Sequence, residues 1–497
     1  MHPEIVPPVR RRISTATLLV ISAVAAMLGA CDTGTGVGLG RGISVVSATL
    51  TDTVYATHPL SIAVRDSAGR IAPRAVVEFD VPQDPDPFVQ FRMDVAPLDS
   101  QLFRFRTSDT TDGLGHVTVQ ARFAFTAGPA ELLIRVPELG LVDTVRFTIR
   151  PGNATGVRVA PNDTAIYASH SFTLRAHAVD QFGNRRDEPV DFSVAYGPVT
   201  ANATSGAVVA TTVGRAAVVA RSAGLIDTAY VSVVPPAWVA TQKFDPGNGG
   251  PQGLFLMQLD GSGRDSLAPG LDNSFIPQGF GWSPDGRQLA LARGRTITLL
   301  TPGGGEQPLV EMTGDLNTAT RFSRDGAWVY FALAYGSATQ PQGLYRVKVD
   351  GTGLEQLGQA GSNYFVSPSN DGLSVAYVSD RTPCGVESCI RVLDVATNQD
   401  RVYGTQDFLA RGSMPAWSPT SDLIAYTSGS NLVLAHANGT GSVVLANDMH
   451  YVKWLDWSPD GHWLLVAETG VILFEVQTGL RLPMAQFLSY GATAWRP

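Results

Sequence analysis

One short motif, returning at a near-constant interval, restricts the folds open to this chain more than any other feature. Trp282-Ser283-Pro284-Asp285-Gly286 recurs as Phe322-Ser323-Arg324-Asp325-Gly326, as Val366-Ser367-Pro368-Ser369-Asn370-Asp371-Gly372, as Trp417-Ser418-Pro419-Thr420-Ser421-Asp422 and as Trp457-Ser458-Pro459-Asp460-Gly461. A shortened copy, Trp495-Arg496-Pro497, comes last. Counted from the first residue of each copy, the separations are 40, 44, 51, 40 and 38. A period near forty, with turn residues at fixed offsets and several short strands per unit, is the pattern of β-propeller blades.

The motif has a mechanical reading. Ser, Pro, Asp and Gly in that order suit a type I turn, with proline presetting φ and glycine accepting the positive φ after it. The leading Trp or Phe is bulky enough to pack between neighbouring sheets. An apolar strand comes after each turn, for example Leu289-Ala290-Leu291 or Leu464-Leu465-Val466. The turn carboxylates Asp285, Asp325, Asp371, Asp422 and Asp460, with Gly286, Gly326, Gly372 and Gly461, are therefore expected to be structural rather than catalytic.

The count of units also implies a closure. Residues 237–270 supply strand patterns with no motif strand before them, while Ala494-Trp495 supplies such a strand with nothing after it. Joined as one composite blade they complete a ring of six and remove two exposed sheet edges. These repeats, over about 260 residues, resemble the TolB-type, WD-repeat-like propeller family (PD40 repeats). The resemblance implies a module that binds proteins or peptides.

Upstream, two stretches share a different pattern. Leu60, Ile62 and Val64 alternate before Asp66-Ser67-Ala68-Gly69, and Phe172, Leu174, Ala176 and Ala178 alternate before Asp180-Gln181-Phe182-Gly183-Asn184. Each reads as a half-buried strand, a tight turn and a second strand. Residues 43–150 and 151–236 are accordingly expected to be two β-sandwiches. The Asp-x-x-Gly turns resemble those of invasin/intimin-type bacterial Ig-like domains, which implies a spacer or adhesion role. The expected fold class is all-β: two Ig-like sandwiches, then a six-bladed propeller over 237–497.

The N-terminus reads as an address. Arg10-Arg11-Arg12 precedes the apolar run Ile13–Ala26, which is short for a membrane span, and Leu28-Gly29-Ala30-Cys31 resembles the bacterial lipobox. The resemblance implies cleavage of residues 1–30 and acylation of Cys31, so that the membrane is a partner through a lipid anchor. Residues 31–42, rich in Gly and Thr, suit a flexible tether. The expected location is the extracytoplasmic cell envelope.

Little in the chain suggests chemistry. With Lys+Arg 36 against Asp+Glu 44, the net charge is −8, and no basic stripe points to nucleic acid. There is no Gly-x-Ser-x-Gly nucleophile motif. The propeller histidines His436, His450 and His462 lie in different settings, and His170 and His177 lack a third ligand nearby, so no metal and no cofactor are expected. Cys384 and Cys389 sit in an insertion within the longest repeat and suit a small disulfide loop in an oxidising compartment, with a redox pair or half a zinc site as the alternatives. The function expected is that of an envelope binding or scaffold protein for a protein, peptide or glycan. A propeller hydrolase or lyase and an Ig-domain adhesin are the alternatives.

Overall fold

The structure is a computed structural model that describes residues 42–82, 92–243, 253–267, 279–314, 316, 319–333, 335–382, 388–403, 414–450, 452–468, 470–484 and 492–497. The chain is all-β, and contacts divide it into two compact units: residues 1–155 with 179–186, and residues 156–178 with 187–497.

The first unit is built from strands whose side chains alternate. Leu60, Ile62 and Val64 point inward along Thr57–Arg65, and Val117, Val119, Ala121 and Phe123 do so along His116–Phe123. A four-stranded sheet, in the order Gly42–Ser47, Thr57–Arg65, His116–Phe123, Met93–Pro97, shares one apolar core with a five-stranded sheet. The second sheet runs Thr51–Thr53, Leu141–Arg150, Gly128–Val136, Val76–Asp80, Arg106–Thr110, with its first two strands parallel.

Three tight loops in this unit are held by one device. Asp66 Oδ1 accepts from the backbone N–H groups of Ala68 and Arg70, Asp112 Oδ1 from those of Leu114 and His116, and Asp180 Oδ1 from those of Phe182 and Asn184. A short carboxylate bonding the backbone two and four residues ahead is what the Asp-x-x-Gly spacing encodes. The sequence pattern places the Asp180 turn in residues 151–236, yet the turn belongs to the first unit. Asp180 Oδ2 accepts from Gly152 N–H at 2.8 Å, and the Asn184 amide bonds both Ala127 N–H and Phe125 O.

The second unit begins with another pair of sheets. Asp163–Tyr167, Leu225–Val234, Gly214–Ser222 and Asp191–Tyr196 form one, again with its first two strands parallel. Ser171–Thr173, Ala207–Ala210 and Val199–Ala201 form the other. This module packs directly on the C-terminal part of its own unit. Ala165, Tyr167 and Val234 lie in the same apolar cluster as Leu259, Trp282 and Trp495, and Ser232 Oγ donates to Pro483 O at 2.7 Å.

The rest of the unit is a β-propeller made of four-stranded antiparallel sheets. Sheet I comprises Phe280–Trp282, Leu289–Arg293, Thr296–Thr301 and Gly305–Glu311; sheet II comprises Arg321–Phe322, Trp328–Leu333, Gly343–Lys348 and Glu355–Leu357. Sheet III comprises Asn363–Pro368, Ser374–Ser379, Cys389–Asp394 and Gln399–Val402; sheet IV comprises Ala416–Trp417, Leu423–Ser428, Asn431–His436 and Val443–Ala446. Sheet V comprises Trp454–Trp457, Trp463–Ala467, Val471–Glu475 and Arg481–Met484. Sheet VI is composite: Thr493–Trp495 pairs antiparallel with Trp238–Lys243, which continues to Gly253–Gln258 and Asp265–Ser266. The innermost strands of sheets I to VI touch in sequence, and that of VI touches that of I.

Candidate functional site

The site is set by where the motif turns place the innermost strands. In sheet I, Ser283 Oγ donates to Asp285 Oδ1 at 2.6 Å and accepts from Gln288 N–H at 2.9 Å, while Asp285 accepts from Arg287 N–H. The same Ser–Asp–backbone clasp is made by Ser323 and Asp325, by Ser369 and Asp371, and by Ser458 and Asp460. Gly286, Gly326, Gly372 and Gly461 come next with φ of 67°, 72°, 73° and 73°, a region that costs a side-chain-bearing residue about 1–2 kcal/mol. The serine hydroxyl holds the carboxyls of Asp285 and Asp325 below the usual range. For Asp460, burial pulls the other way, but the Ser458 hydroxyl and His462 N–H outweigh it.

Two copies differ from the sequence pattern. In sheet III the clasp begins at Ser369, not Ser367, because the innermost strand carries a bulge between Tyr364 and Ser367, with Phe365 at φ 50°. In sheet IV, Thr420 stands in the place of the turn carboxylate. Asp422 lies two residues further on and instead bonds His436 Nδ1 at 3.0 Å. Counted on the clasp serines Ser283, Ser323, Ser369, Ser418 and Ser458, the separations become 40, 46, 49 and 40.

With that register, residues at one height around the axis can be compared. Two positions before the serine stand Gly281, Arg321, Ser367, Ala416 and Asp456, and Ala494 stands at the matching height of sheet VI. Arg321 and Asp456 are the only charged members. They sit three sheets apart, and their side chains meet across the axis at 3.5 Å, with 16% and 20% of their surface exposed. Arg321 also donates to Phe280 O at 2.6 Å and lies 4.3 Å from the centre of the Trp454 ring. Asp456 Oδ2 accepts from Trp495 N–H at 2.8 Å. Burial pushes the Asp456 carboxyl up and the Arg321 guanidinium down, each opposed by the attraction of the other.

One step deeper stand Gly279, Ala319, Phe365, Met414, Trp454 and Ala492. Trp454 is 1% exposed and fills this level: a Cβ on Gly279 would lie 2.2 Å from two of its ring carbons and 2.8 Å from Ala319 Cβ. One indole set against Gly279 and Ala319, on a level shared with Phe365 and Met414, is a volume match that fills the axis. Above this plug and the ion pair is an open cavity of about 140 Å³ lined from every innermost strand, with Trp282, Trp417, Trp457 and Trp495 in its wall. Pro284, Pro419, Pro459 and Pro497 also line it.

The remaining sequence candidates lie elsewhere. Cys31 and Cys384 fall outside the described residues, and Cys389 is buried at the head of its strand in sheet III. His462 reaches its neighbour Asp460 at 3.4 Å, and the backbone of His450 donates to Glu468. Among the described residues no group of three His, Cys, Asp or Glu could hold a metal. The pair Arg321–Asp456 escapes sequence reading because 135 residues separate its members. Its signal is a column two positions before the clasp serines, in which small residues are interrupted by one cation and one anion once the third repeat is shifted to Ser369.

Comparison with known proteins gives limited matches. The WD40 domain family of anaphase-promoting complex subunit 4 matches residues 415–486. No curated protein sequence matches the chain. Among solved structures, TolB from Acinetobacter baumannii is similar at 14% identity over 62% of this chain and 83% of that one, with a TM-score of 0.42. An auxiliary nutrient binding protein from Bacteroides thetaiotaomicron is similar at 8% identity over 67% of this chain and 86% of that one, with a TM-score of 0.36. A gluconolactonase from Xanthomonas campestris is similar at 18% identity over 43% of this chain and 75% of that one, with a TM-score of 0.35.

Proposed function

We propose that this chain is a lipid-anchored envelope protein whose six-bladed propeller binds a protein or peptide at the mouth of its axial cavity. The cavity carries the reading. It is concave, open at the end where the motif turns lie, closed below by Trp454, and walled by aromatic rings around a single ion pair. Such a blind, aromatic-walled recess suits recognition of a protruding side chain. Binding rather than catalysis is the role proposed, because the turn carboxylates are already engaged by serine hydroxyls and backbone N–H groups.

The sequence features at the N-terminus complete the proposal. Acylated Cys31 would hold the protein at a membrane surface, residues 31–42 would act as a tether, and residues 43–236 would serve as two Ig-like spacers. Cys389, buried at the head of its strand, would pair with Cys384 in an oxidising location.

Two experiments test the reading. Full chain immobilised on beads should capture a discrete envelope partner, and Arg324→Glu at the rim should abolish capture without changing the melting temperature. Capture that is equal for both forms refutes binding at this mouth. Cys31→Ala should move the protein from the membrane to the soluble fraction; an unchanged distribution refutes the anchor.

A further inference from the structure

Hydrogen-bond accounting at the axis shows an imbalance. Among the described residues, the indole nitrogens of Trp282, Trp454 and Trp495 are buried without a hydrogen-bond partner. All three belong to innermost strands, and Trp282 and Trp495, 7% and 4% exposed, line the cavity. Ser367, 5% exposed, spends its lone pair on Trp417 N–H at 2.8 Å, and no acceptor for its own proton is found among the described residues. Arg321 makes one good bond, to Phe280 O; its other contacts, to Thr320 O, Leu455 O and Asp456, are 3.4–3.5 Å long. A charge-assisted contact is ordinarily about 2.7–2.9 Å. Against these donors stands one underused acceptor, Asp456 Oδ1. Buried donors without partners cost free energy and call for an explanation.

We propose that the axial cavity is a carboxylate-binding site, in which the Arg321 guanidinium and the Ser367 hydroxyl receive one carboxylate group. A carboxylate fits because it only accepts, and offers about four lone-pair directions to converging donors. Size narrows the source. The cavity, about 140 Å³, has room for roughly ten water positions, enough for an acidic side chain or a small organic acid. Asp456 opposes the ligand by like charge and sets its affinity, so it is a specificity-determining residue. This inference rests on the mouth of the propeller being a binding face, and it names the chemistry read there.

The test uses the full chain in detergent, monitored by tryptophan fluorescence and melting temperature at constant ionic strength. The probes are acetate and acetyl-glutamate amide, with acetamide and acetyl-glutamine amide as neutral matches. Both carboxylates should shift the signals saturably and the amides should not. Arg321→Gln should weaken acetate by about thirtyfold or more, the loss of a charged hydrogen bond. Ser367→Ala should weaken it by about threefold to tenfold and serves if Arg321→Gln does not fold. Asp456→Asn should tighten it by roughly tenfold.

Equal response to acetate and acetamide overturns the proposal, as does no response to either carboxylate, which would mean that the cavity holds water alone. Unchanged affinity in both Arg321→Gln and Ser367→Ala also overturns it. Tighter binding of acetyl-glutamate amide than of acetate assigns the site to an acidic peptide residue, and the reverse to a free acid. If acetate fails while partner capture stays sensitive to Arg324→Glu, the carboxylate site falls and the binding reading stands. The opposite pattern leaves the site standing and removes the protein partner.

Discussion

Trp495→Ala is the sharpest probe of how the propeller holds together. Trp495 is 4% exposed, sits in the strand that pairs Thr493–Trp495 with Trp238–Lys243, and donates its backbone N–H to Asp456. Truncating a buried tryptophan costs about 3–5 kcal/mol through lost transfer energy and an unfilled cavity. In a domain of this size each kcal/mol lowers the melting temperature by about 2–4 °C, so a drop of roughly 10 °C is expected. Deleting 493–497 goes further. It also removes the bond between Arg496 N–H and Trp238 O and the Thr241–Thr493 hydroxyl contact, and it bares the edge of Trp238–Lys243. The summed loss, about 8 kcal/mol, is comparable to the whole stability of a typical domain. Near-UV circular dichroism on heating and light scattering after size exclusion would track both variants. A deletion that melts cooperatively at the parent temperature and stays monomeric would refute the reasoning.

Other perturbations probe other levels. Gly279→Ala should cost about 2–3 kcal/mol in urea unfolding, because its Cβ would overlap the Trp454 ring, and adding Trp454→Phe should recover part of the loss. Asp400→Asn should cost about 3–5 kcal/mol, since Asp400 is the shared partner of Arg381 and Arg391 and also accepts from the Tyr377 hydroxyl. The carboxyls of Asp285 and Asp325 are held below their unfolded value, so their contribution is complete above about pH 4 and is lost as pH falls further. The double variant Asp285→Asn/Asp325→Asn should therefore show a flatter loss of melting temperature between about pH 4 and pH 2 than the parent.

How much of this was legible in the sequence depended on the range of the interaction. The repeat and the clasp glycines are local patterns, the composite blade follows from counting those repeats despite its range, and strand pairing in the structure agrees with both. The Asp-x-x-Gly turns were equally readable, because the carboxylate bonds its own backbone. The register of the third repeat was not. Ser367-Pro368 imitates the motif, and the bulge at Phe365 that displaces it has no signature in residue type. Asp422 was misplaced for a similar reason: two polar residues, Thr420 and Ser421, occupy the turn and leave the aspartate outside it. The assignment of the Asp180 turn to the first unit depends on Asn184 and Gly152, contacts that no period reveals. The axial pair and the orphan indoles join residues from different repeats, and only the closed ring brings them together.

Sealing the ring through the Thr493–Trp495 strand also has a consequence in time. Each sheet is otherwise made of neighbouring hairpins that can form within microseconds, whereas the seam joins Thr241 to Thr493, 252 residues away. Loop-closure entropy must be overcome before that contact stabilises anything, so the seam is expected to form late and slowly. Until it does, the molecule is an open arc with two unpaired edges, each matching the opposite edge of any other copy. The same strand that closes one ring could then be exchanged between two, and dilution during refolding should decide which outcome prevails.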